Sequence, residues 1–343
     1  MPYLDHLPVP VSRLIQTRFI CEFATLTKTG VPIDSPLVPF ASADGETIDS
    51  ATGLAYPAKA DRVRRNPKVG MLFEGGAEEP VVSISAYAAV RDRDFQGNLE
   101  RYLAEQILTV MLHPDKVDYA GVTARAIWYF TRILLVAKPA VVRWWDSPVA
   151  MDGPPHEWRA PAGTHWPQSD PPPSGPATTA PWSVAPDWRA MAQRALARGA
   201  PAHLTLVAAE GFPLPIRARG VEAAADGLRL AMPGWLPWRS GKATVSFEGI
   251  ETLVGEAEVS GGVAQFRAER ALPLHPLMTN PSEILSPTDA TRLALMQRIE
   301  AELARRGLPL PQMPAEAPEP TAGARMRAEV ALAFAGFAAN SAA

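Results

Sequence analysis

A short basic stretch of the sequence, PAKADRVRRNP, holds four cations against one acid, Asp61. Its cations are Lys59, Arg62, Arg64 and Arg65. A proline near its start and Asn66-Pro67 at its end predict a short helix from Pro57 to Asn66. The N-terminus of a helix already carries partial positive charge, so cations gathered there are unfavourable unless an anion is bound. The stretch therefore predicts a site for a small anionic ligand.

The alternative for these cations is a solvated basic face, which would dock against the acidic side of a partner subunit. The chain of 343 residues has a formal net charge of -3, and this argues against a general nucleic-acid binder. The positive charge is therefore local. We expect a small molecule as the ligand and no nucleic acid as a partner.

Other motifs of catalysis are missing from the sequence. It contains no Gly-X-Gly-X-X-Gly turn, no Gly-Lys-Ser/Thr phosphate loop and no Gly-X-Ser-X-Gly nucleophile elbow. The six histidines include no pair spaced four apart, so we expect no metal site. The single cysteine, Cys21, excludes an internal disulfide framework, and its apolar neighbours predict a buried, inert thiol.

The composition predicts a folded protein outside the membrane. Hydrophobic residues make up 47% of the chain, which is enough for a sizeable core. No apolar run reaches the roughly 18 to 20 residues that cross a bilayer. The N-terminal stretch lacks the pattern of a signal peptide, so we expect a cytoplasmic protein with no membrane partner.

The basic stretch lies among short apolar runs joined by Gly- and Asp-containing turns. Runs such as FATLT, VGMLFEG and VVSISAYAAVRD predict an antiparallel sheet or barrel. One amphipathic helix is predicted from Gly97 to Leu112. Another is predicted over SPTDATRLALMQRIEAELARRG, with Ser286 as N-cap, Pro287 in the first turn and Gly307 at the end.

The second half of the sequence repeats the first. ATLTKTGVP is echoed by LTLVAAEGFP, and LFEG is echoed by SFEG. Internal repetition of this kind predicts a duplicated supersecondary unit. Gly45 to Gly75 spans 75 − 45 = 30 positions, whereas Gly227 to Gly249 spans 249 − 227 = 22, and the missing positions are those of the basic helix. Only the first copy should therefore bind an anion in this manner.

An ordered set of short motifs resembles the pyridoxamine-5'-phosphate-oxidase-like family of flavin-binding split β-barrels. The motifs are Ala24-Thr25-Leu26, Gly30-Val31-Pro32, Ser35-Pro36, Thr52-Gly53, Lys59 and Asn66-Pro67. The resemblance covers about Phe19 to Trp145 and extends more weakly to the second half. It implies a mainly β fold with peripheral helices, made of two tandem split β-barrel (FMN-binding-like) repeats.

The resemblance and the distribution of prolines divide the chain into four parts. We predict a split-barrel domain with the cofactor site at residues 1–146 and a Pro-rich linker at 147–186. A second, degenerate split-barrel domain follows at 187–307. A Pro/Ala-rich tail with a terminal helix occupies 308–343.

The resemblance also implies a cofactor site. The FMN phosphate would be held by the end of the strand at Ser50-Ala51-Thr52 and by Lys59, while the strand SPLVPF would lie along the flavin ring. The family usually has a serine where this chain has Pro57, so we expect Tyr56 and Arg62 to supply contacts instead. The predicted cofactor-binding residues are Ser35, Pro36, Leu37, Val38, Ser50, Ala51, Thr52, Tyr56, Ala58, Lys59 and Arg62.

Two residues of the strand YFTRILLVAKPAVVRWW are candidates for substrate binding. A charge such as Arg132 in an apolar strand needs a partner. That partner is either a structural salt bridge or the flavin or substrate. Trp144 either contacts the substrate near the flavin or packs at an interface without a catalytic role.

The function that the resemblance implies is an FMN-dependent oxidoreductase, which acts on a small organic substrate by hydride transfer at the flavin. Such proteins form homodimers, and we expect a homodimer here. A deazaflavin-dependent reductase is one alternative. A non-catalytic flavin- or haem-binding protein, or a barrel with no cofactor, is another, and His275 is the candidate haem ligand.

Overall fold

The computed structural model describes residues 2–42, 44–106, 125–178, 186–236, 240–273 and 288–330. The strands are β1 (Cys21–Leu26), β2 (Pro32–Leu37), β3 (Phe40–Ala41), β4 (Ile48–Gly53), β5 (Lys68–Glu74), β6 (Val81–Arg91), β7 (Arg132–Trp145), β8 (His156–Arg159), β9 (Ala202–Val207), β10 (Pro213–Arg217), β11 (Gly220–Ala224), β12 (Gly227–Ala231), β13 (Ser240–Phe247), β14 (Glu251–Ser260) and β15 (Val263–Ala271). The α-helices are α1 (Val9–Thr17), α2 (Ala58–Arg65), α3 (Phe95–Glu105), α4 (Ile127–Phe130), α5 (Trp188–Ala197) and α6 (Asp289–Arg306). Tyr3–His6 and Val149–Asp152 form short 3-10 turns, and residues 322–330 are helical.

The first repeat is one antiparallel sheet in the order β2-β1-β5-β6-β7-β4-β3, with β8 added beside β7. The sheet curls until β2 and β4, which are far apart in the strand order, contact each other. Side chains from alternate positions, such as Phe23, Met71 and Ile84, fill the enclosed core. β4 pairs with β3 only at Ile48 and Asp49, so the rest of its edge faces β2 across a gap in the barrel.

The second repeat has the same strand order, β10-β9-β13-β14-β15-β12-β11. Glu74 and Glu248 of the LFEG and SFEG echoes occupy equivalent positions, because the strands before them pair in the same register. The predicted mainly β fold of two tandem split-barrel repeats is therefore confirmed. Between β12 and β13 the described residues, Met232–Leu236, form no helix, in contrast to α2 of the first repeat.

The two repeats pack against each other about an approximate two-fold axis. The strand registers make Pro32 equivalent to Pro213, and Gly70 equivalent to Thr244. The contacts are reciprocal. The Thr244 hydroxyl donates to the Pro32 carbonyl at 2.5 Å, and a Cβ at Gly70 would lie 1.8 Å from the Pro213 carbonyl oxygen. Only glycine leaves room for this approach of two backbones.

A buried polar cluster lies on this axis. Glu22 and His203 are equivalent positions, since 203 − 22 = 181 and, for the following prolines, 213 − 32 = 181. The Nδ1 of His203 lies 2.6 Å from a Glu22 oxygen, and its Nε2 lies 3.1 Å from a Glu74 oxygen. Burial alone would lower the pKa of His203, but these two carboxylates overcome burial and raise that pKa to about 10. An imidazolium between two carboxylates thus joins the repeats.

The predicted helix near residue 100 is α3. Asp94 is its N-cap, and its carboxylate accepts a hydrogen bond of 2.8 Å from the Gly97 N–H. The end predicted at Leu112 lies outside the described residues. The helix packs over the outer face of β4 and β7, where it buries Leu99, Tyr102 and Leu103.

The predicted late helix is α6. Its N-cap is Thr288, and it ends at Gly307, which has a left-handed φ of 65°. The caps predicted at Ser286 and Pro287 lie outside the described residues, as does His275. Although α6 follows the second barrel in sequence, its apolar face enters the core of the first barrel through Leu295, Ile299 and Leu303.

The described parts of the segment predicted as a Pro-rich linker, 147–186, are docked on the barrels: Met151 belongs to the core of the second barrel, and later residues pack on the first. β8 pairs with β7 as an edge strand, which is the sheet position that tolerates neighbouring prolines. The Trp166 ring packs on Tyr87 with 4.5 Å between centroids. Within the described ranges no helix combines the length and the apolar character needed to cross a membrane.

Candidate functional site

The predicted basic helix is α2, which is separated from the end of β4 by four residues. Pro57 is its N-cap residue and supplies no side-chain cap. The exposed Ala58 follows it at the first helical position. Since the first N–H groups of a helix have no partner within it, this end of α2 can donate to a bound anion.

The charged side chains of α2 divide between two faces. On one face, Arg64 donates to the buried carboxylate of Asp92 at 2.7 Å. On the other, the Nε of Arg62 donates to the Thr25 hydroxyl at 2.7 Å. Lys59 is three residues before Arg62, so it shares this second face. Asp92 therefore neutralises the charge on one face of α2, whereas the face that carries Lys59 and Arg62 stays cationic.

Lys59 is partly buried, and its ammonium has no hydrogen bond or ion pair in the described part of the chain. Burial, together with the positive charges of Arg62 and Arg132, lowers the pKa of Lys59 from its usual 10.5 to about 7. Burial and Arg65 likewise lower the pKa of Arg62 to about 10. A lysine in these surroundings regains its proton readily when an anion approaches.

Arg132 is the first residue of β7 and pairs with Gly53, the last residue of β4. Its guanidinium carbon lies 3.9 Å from the centroid of the Tyr129 ring and 4.6 Å from that of Tyr102. The side chain is buried, and its Nε and Nη2 atoms have no hydrogen-bond partner within the described ranges. Among the described residues no carboxylate lies within 4.0 Å of it, so the salt bridge offered as an alternative for Arg132 is not found there.

These groups form what we call the cationic corner: residues 53–62, which connect β4 to α2, together with Arg132. A Cβ at Gly53 would lie 3.6 Å from Nη1 of Arg132 and 3.7 Å from the Tyr56 ring. Gly53, Tyr56 and Lys59 all retain partial exposure. The corner is therefore open to a ligand, rich in positive charge and, within the described ranges, without a carboxylate bonded to Lys59 or Arg132.

The predicted residues of β4 lie on both faces of the strand. Ser50 faces the barrel interior with a fully buried hydroxyl that lacks a hydrogen-bond partner. Ala51 packs beneath α3 on the outer face. Thr52 is buried at the end of the strand. A ligand could reach Ser50–Thr52 only through the backbone groups of the edge that faces β2.

The predicted residues of β2 lie on the opposite side of the same gap. Leu37 belongs to the barrel core, whereas Ser35 and Val38 are partly exposed. Pro36 faces the second barrel, where a Cβ at Gly249 would lie 2.8 Å from it. The second barrel thus packs directly behind the strand that is predicted to lie along the flavin ring.

Trp144 does not belong to the cationic corner. It is twelve residues after Arg132 on β7, which at the usual rise corresponds to roughly 40 Å of strand. Its ring is buried and stacks on His156 at 5.4 Å between centroids. Within one chain, a small substrate therefore cannot contact both Trp144 and Arg132.

One basic residue near the corner was missed from the sequence. Arg298 of α6 lies over the Tyr56 ring, with its guanidinium carbon 4.8 Å from the ring centroid. Arg298 directly precedes the buried Ile299, so it stands beside the apolar face of an amphipathic helix. This position beside the buried face could have been recognised in the sequence, because an arginine there buries part of its side chain.

The second repeat has a cavity of about 540 Å³ at the place that corresponds to the cationic corner, after β12. It is lined by apolar groups such as Met232 and Leu236 and by an ion pair between Arg219 and Asp152. Among the described residues, the lining of this cavity shows no cation without a carboxylate partner. No cluster of potential metal ligands occurs within the residues that the structure describes.

No protein-family model and no curated protein matches the chain. Solved structures do match it. General stress protein 26 from Bacillus anthracis is 14% identical, and the match covers 47% of this chain and 100% of that protein, with a TM-score of 0.31. Each half of this chain repeats one strand order. Each repeat is a split β-barrel.

Other matched split barrels carry names that refer to flavin-type cofactors. A pyridoxamine 5'-phosphate oxidase-related, FMN-binding protein from Nostoc punctiforme is 15% identical over 46% of this chain and 92% of its own, with a TM-score of 0.32. A protein named F420 reductase is 16% identical over 40% of this chain and 98% of its own, with a TM-score of 0.29. The matched structures are thus of the kind that the sequence motifs resemble, and the likeness concerns the fold.

Proposed function

We propose that this split-barrel protein binds FMN at the cationic corner and uses it to oxidise or reduce a small organic molecule. The observation that carries the proposal is the pair of buried or partly buried cations, Lys59 and Arg132, that no described side chain neutralises. A buried charge without a partner is costly, and a phosphate is the group that would relieve the cost for both.

The residues present fit a phosphate monoester. Such a group offers three strong acceptor oxygens and close to two negative charges. Among the described residues, two buried N–H-bearing atoms of Arg132 have no acceptor and the ammonium of Lys59 has no partner. The first N–H groups of α2 add donors that Pro57 does not cap. Lys59 would hold a proton once the phosphate is bound, because an adjacent negative charge raises the pKa of a lysine.

The rest of a flavin would lie in the gap between β2 and β4. Both strands present a sheet edge to it, and backbone N–H and C=O groups at an unpaired edge need partners. When bound, FMN would supply the hydride chemistry. This chain's residues would hold the cofactor and exclude water, with α3 covering the outer face behind Arg132. The proposal requires no acid–base side chain.

A titration of the purified protein with FMN tests the proposal. Binding would shift the flavin absorption bands and change flavin fluorescence. The Lys59→Ala variant should bind FMN about 10- to 100-fold more weakly, since a charged hydrogen bond is worth about 1.5 to 3 kcal/mol. Lys28→Ala is the matched control, because Lys28 is an exposed lysine of the β1–β2 turn.

Three outcomes of this titration distinguish the proposed function from its alternatives. An affinity of Lys59→Ala equal to that of the unmodified protein would count against the site. If the protein binds a deazaflavin but not FMN, the proposed phosphate site stands and the proposed cofactor is wrong. A protein that binds neither would contradict the proposed function.

A further inference from the structure

Helix α6 brings another guanidinium to the edge of the cationic corner. Arg298 covers the Tyr56 ring, and that ring lies beside Gly53 together with Arg132. Helix α6 also contacts α4, the short helix that places Tyr129 beneath Arg132. Two arginines from distant parts of the chain therefore border the same end of β4.

Arg298 has the same unsatisfied chemistry as Arg132. Each guanidinium lies against a tyrosine ring, and in the part of the chain that the structure describes each has buried Nε and Nη2 atoms without a hydrogen-bond partner. An arginine remains protonated even when buried, so these N–H groups continue to require acceptors. The planar fork of a guanidinium fits two oxygens of a phosphate or carboxylate.

The nearest acid on α6 does not satisfy Arg298. Glu302 is one turn further along the helix, but its carboxylate accepts from Arg305 at 2.8 Å and also from Arg306. Its other oxygen accepts from the backbone N–H of Thr178 at 2.6 Å. Because these hydrogen bonds engage both oxygens of Glu302, the N–H groups of Arg298 need an acceptor from outside the described residues.

Helix α6 is held firmly relative to α2. The carboxylate of Asp92 bridges them, with Arg64 of α2 at 2.7 Å and Arg306 of α6 at 3.0 Å. All three side chains are largely buried, where such bonds are little affected by salt. Arg298 is therefore kept in place beside the corner before any ligand arrives, which lowers the entropic cost of using it.

We infer that Arg298 is a further oxyanion-binding residue of the cationic corner, and that α6 thereby makes the site select ligands that carry a phosphoryl group. The inference rests on the proposed function in so far as that phosphoryl group belongs to the flavin. The inference goes beyond the proposed function because it assigns a residue that lies outside both barrels and predicts that the site discriminates between FMN and riboflavin.

The test compares Arg298→Met with Arg292→Met as the matched control. Arg292 lies on the same helix, but it is exposed, and its ion pair within the described residues is with Asp289 at 3.3 Å. Fluorescence titrations measure affinity for FMN and for riboflavin. Thermal unfolding with and without inorganic phosphate measures oxyanion binding without any flavin.

We expect Arg298→Met to weaken FMN binding about 10- to 100-fold, to leave riboflavin binding within about twofold, and to lose the stabilisation by phosphate. Arg292→Met should match the unmodified protein in all three. Unchanged binding of FMN and phosphate by Arg298→Met would overturn the inference, as would equal losses of FMN and riboflavin or an unmodified protein that phosphate does not stabilise. Phosphate binding that depends on Arg298 without any flavin binding would refute the proposed function alone.

Discussion

Replacing Lys59 by methionine should stabilise the cofactor-free protein at pH 6. The pKa of Lys59 falls from 10.5 to about 7 in the folded chain, first because of burial and then because of Arg62. Between these values the unfolded chain binds more protons than the folded one, so the lysine makes stability rise with pH across that window. Below pH 7 both states are protonated, and the full cost of the buried charge is present.

The size of the effect follows from the two pKa values. A difference from 10.5 to about 7 corresponds to about 5 kcal/mol at 1.36 kcal/mol for each pKa unit. Lys59 is partly exposed, so solvent screening reduces this to about 2 kcal/mol. Methionine has a similar length and no charge, so it removes the cost without leaving a cavity.

Urea denaturation at pH 6 and pH 10 measures the effect, with Lys28→Met as the control. We expect Lys59→Met to raise the free energy of unfolding by about 2 kcal/mol at pH 6 and by much less at pH 10, where Lys59 is neutral in the folded chain. Lys28→Met should change little at either pH. If Lys59→Met is no more stable than the unmodified protein at pH 6, the ammonium has a partner within the protein and our reasoning about the corner is wrong.

Three further substitutions test the packing described above. His203→Gln should destabilise the protein by about 3 kcal/mol at pH 6, because it leaves the buried carboxylate of Glu22 without its cation and leaves Glu74 with Arg217 alone. The loss should shrink as the pH rises through about 10, where His203 loses its proton, and a loss that is equal at pH 6 and pH 11 in urea titrations would contradict this assignment. Gly70→Ala should lower the free energy of unfolding by about 2 kcal/mol or more, since its Cβ would lie 1.8 Å from the Pro213 carbonyl oxygen. An unchanged thermal stability of this variant would disprove the close approach of the two backbones. Gly307→Ala should cost about 1 kcal/mol because of the left-handed φ of 65°, and a variant with unchanged stability would show that α6 ends differently.

Local patterns in the sequence were sufficient to predict the repeats and the basic helix. Proline near the start of α2 and Asn-Pro at its end act within a few residues, and the LFEG and SFEG echoes mark equivalent strand ends. The unpaired state of Lys59 and Arg132 could not be predicted in this way. It depends on which carboxylates the fold brings near, and the sequence offered a salt bridge for Arg132 equally well.

The contribution of α6 could not be predicted for a related reason. Arg298 is 298 − 59 = 239 positions from Lys59, and the whole second barrel lies between them. Nothing in the amphipathic pattern of α6 says which barrel its apolar face will enter. The assignment to the first barrel comes from tertiary packing and from the bridge that Asp92 makes between Arg64 and Arg306.

The pairing of Glu22 with His203 has a consequence for any assembly made from one barrel. In a symmetric pair of identical chains, a residue at the centre of the contact meets its own copy, so a glutamate there would face a glutamate and a histidine a histidine. Covalent duplication lifts that restriction, because each half can keep a different residue at the same position. This chain uses that freedom to place unlike charges at a position where identical subunits would bring two copies of the same residue together.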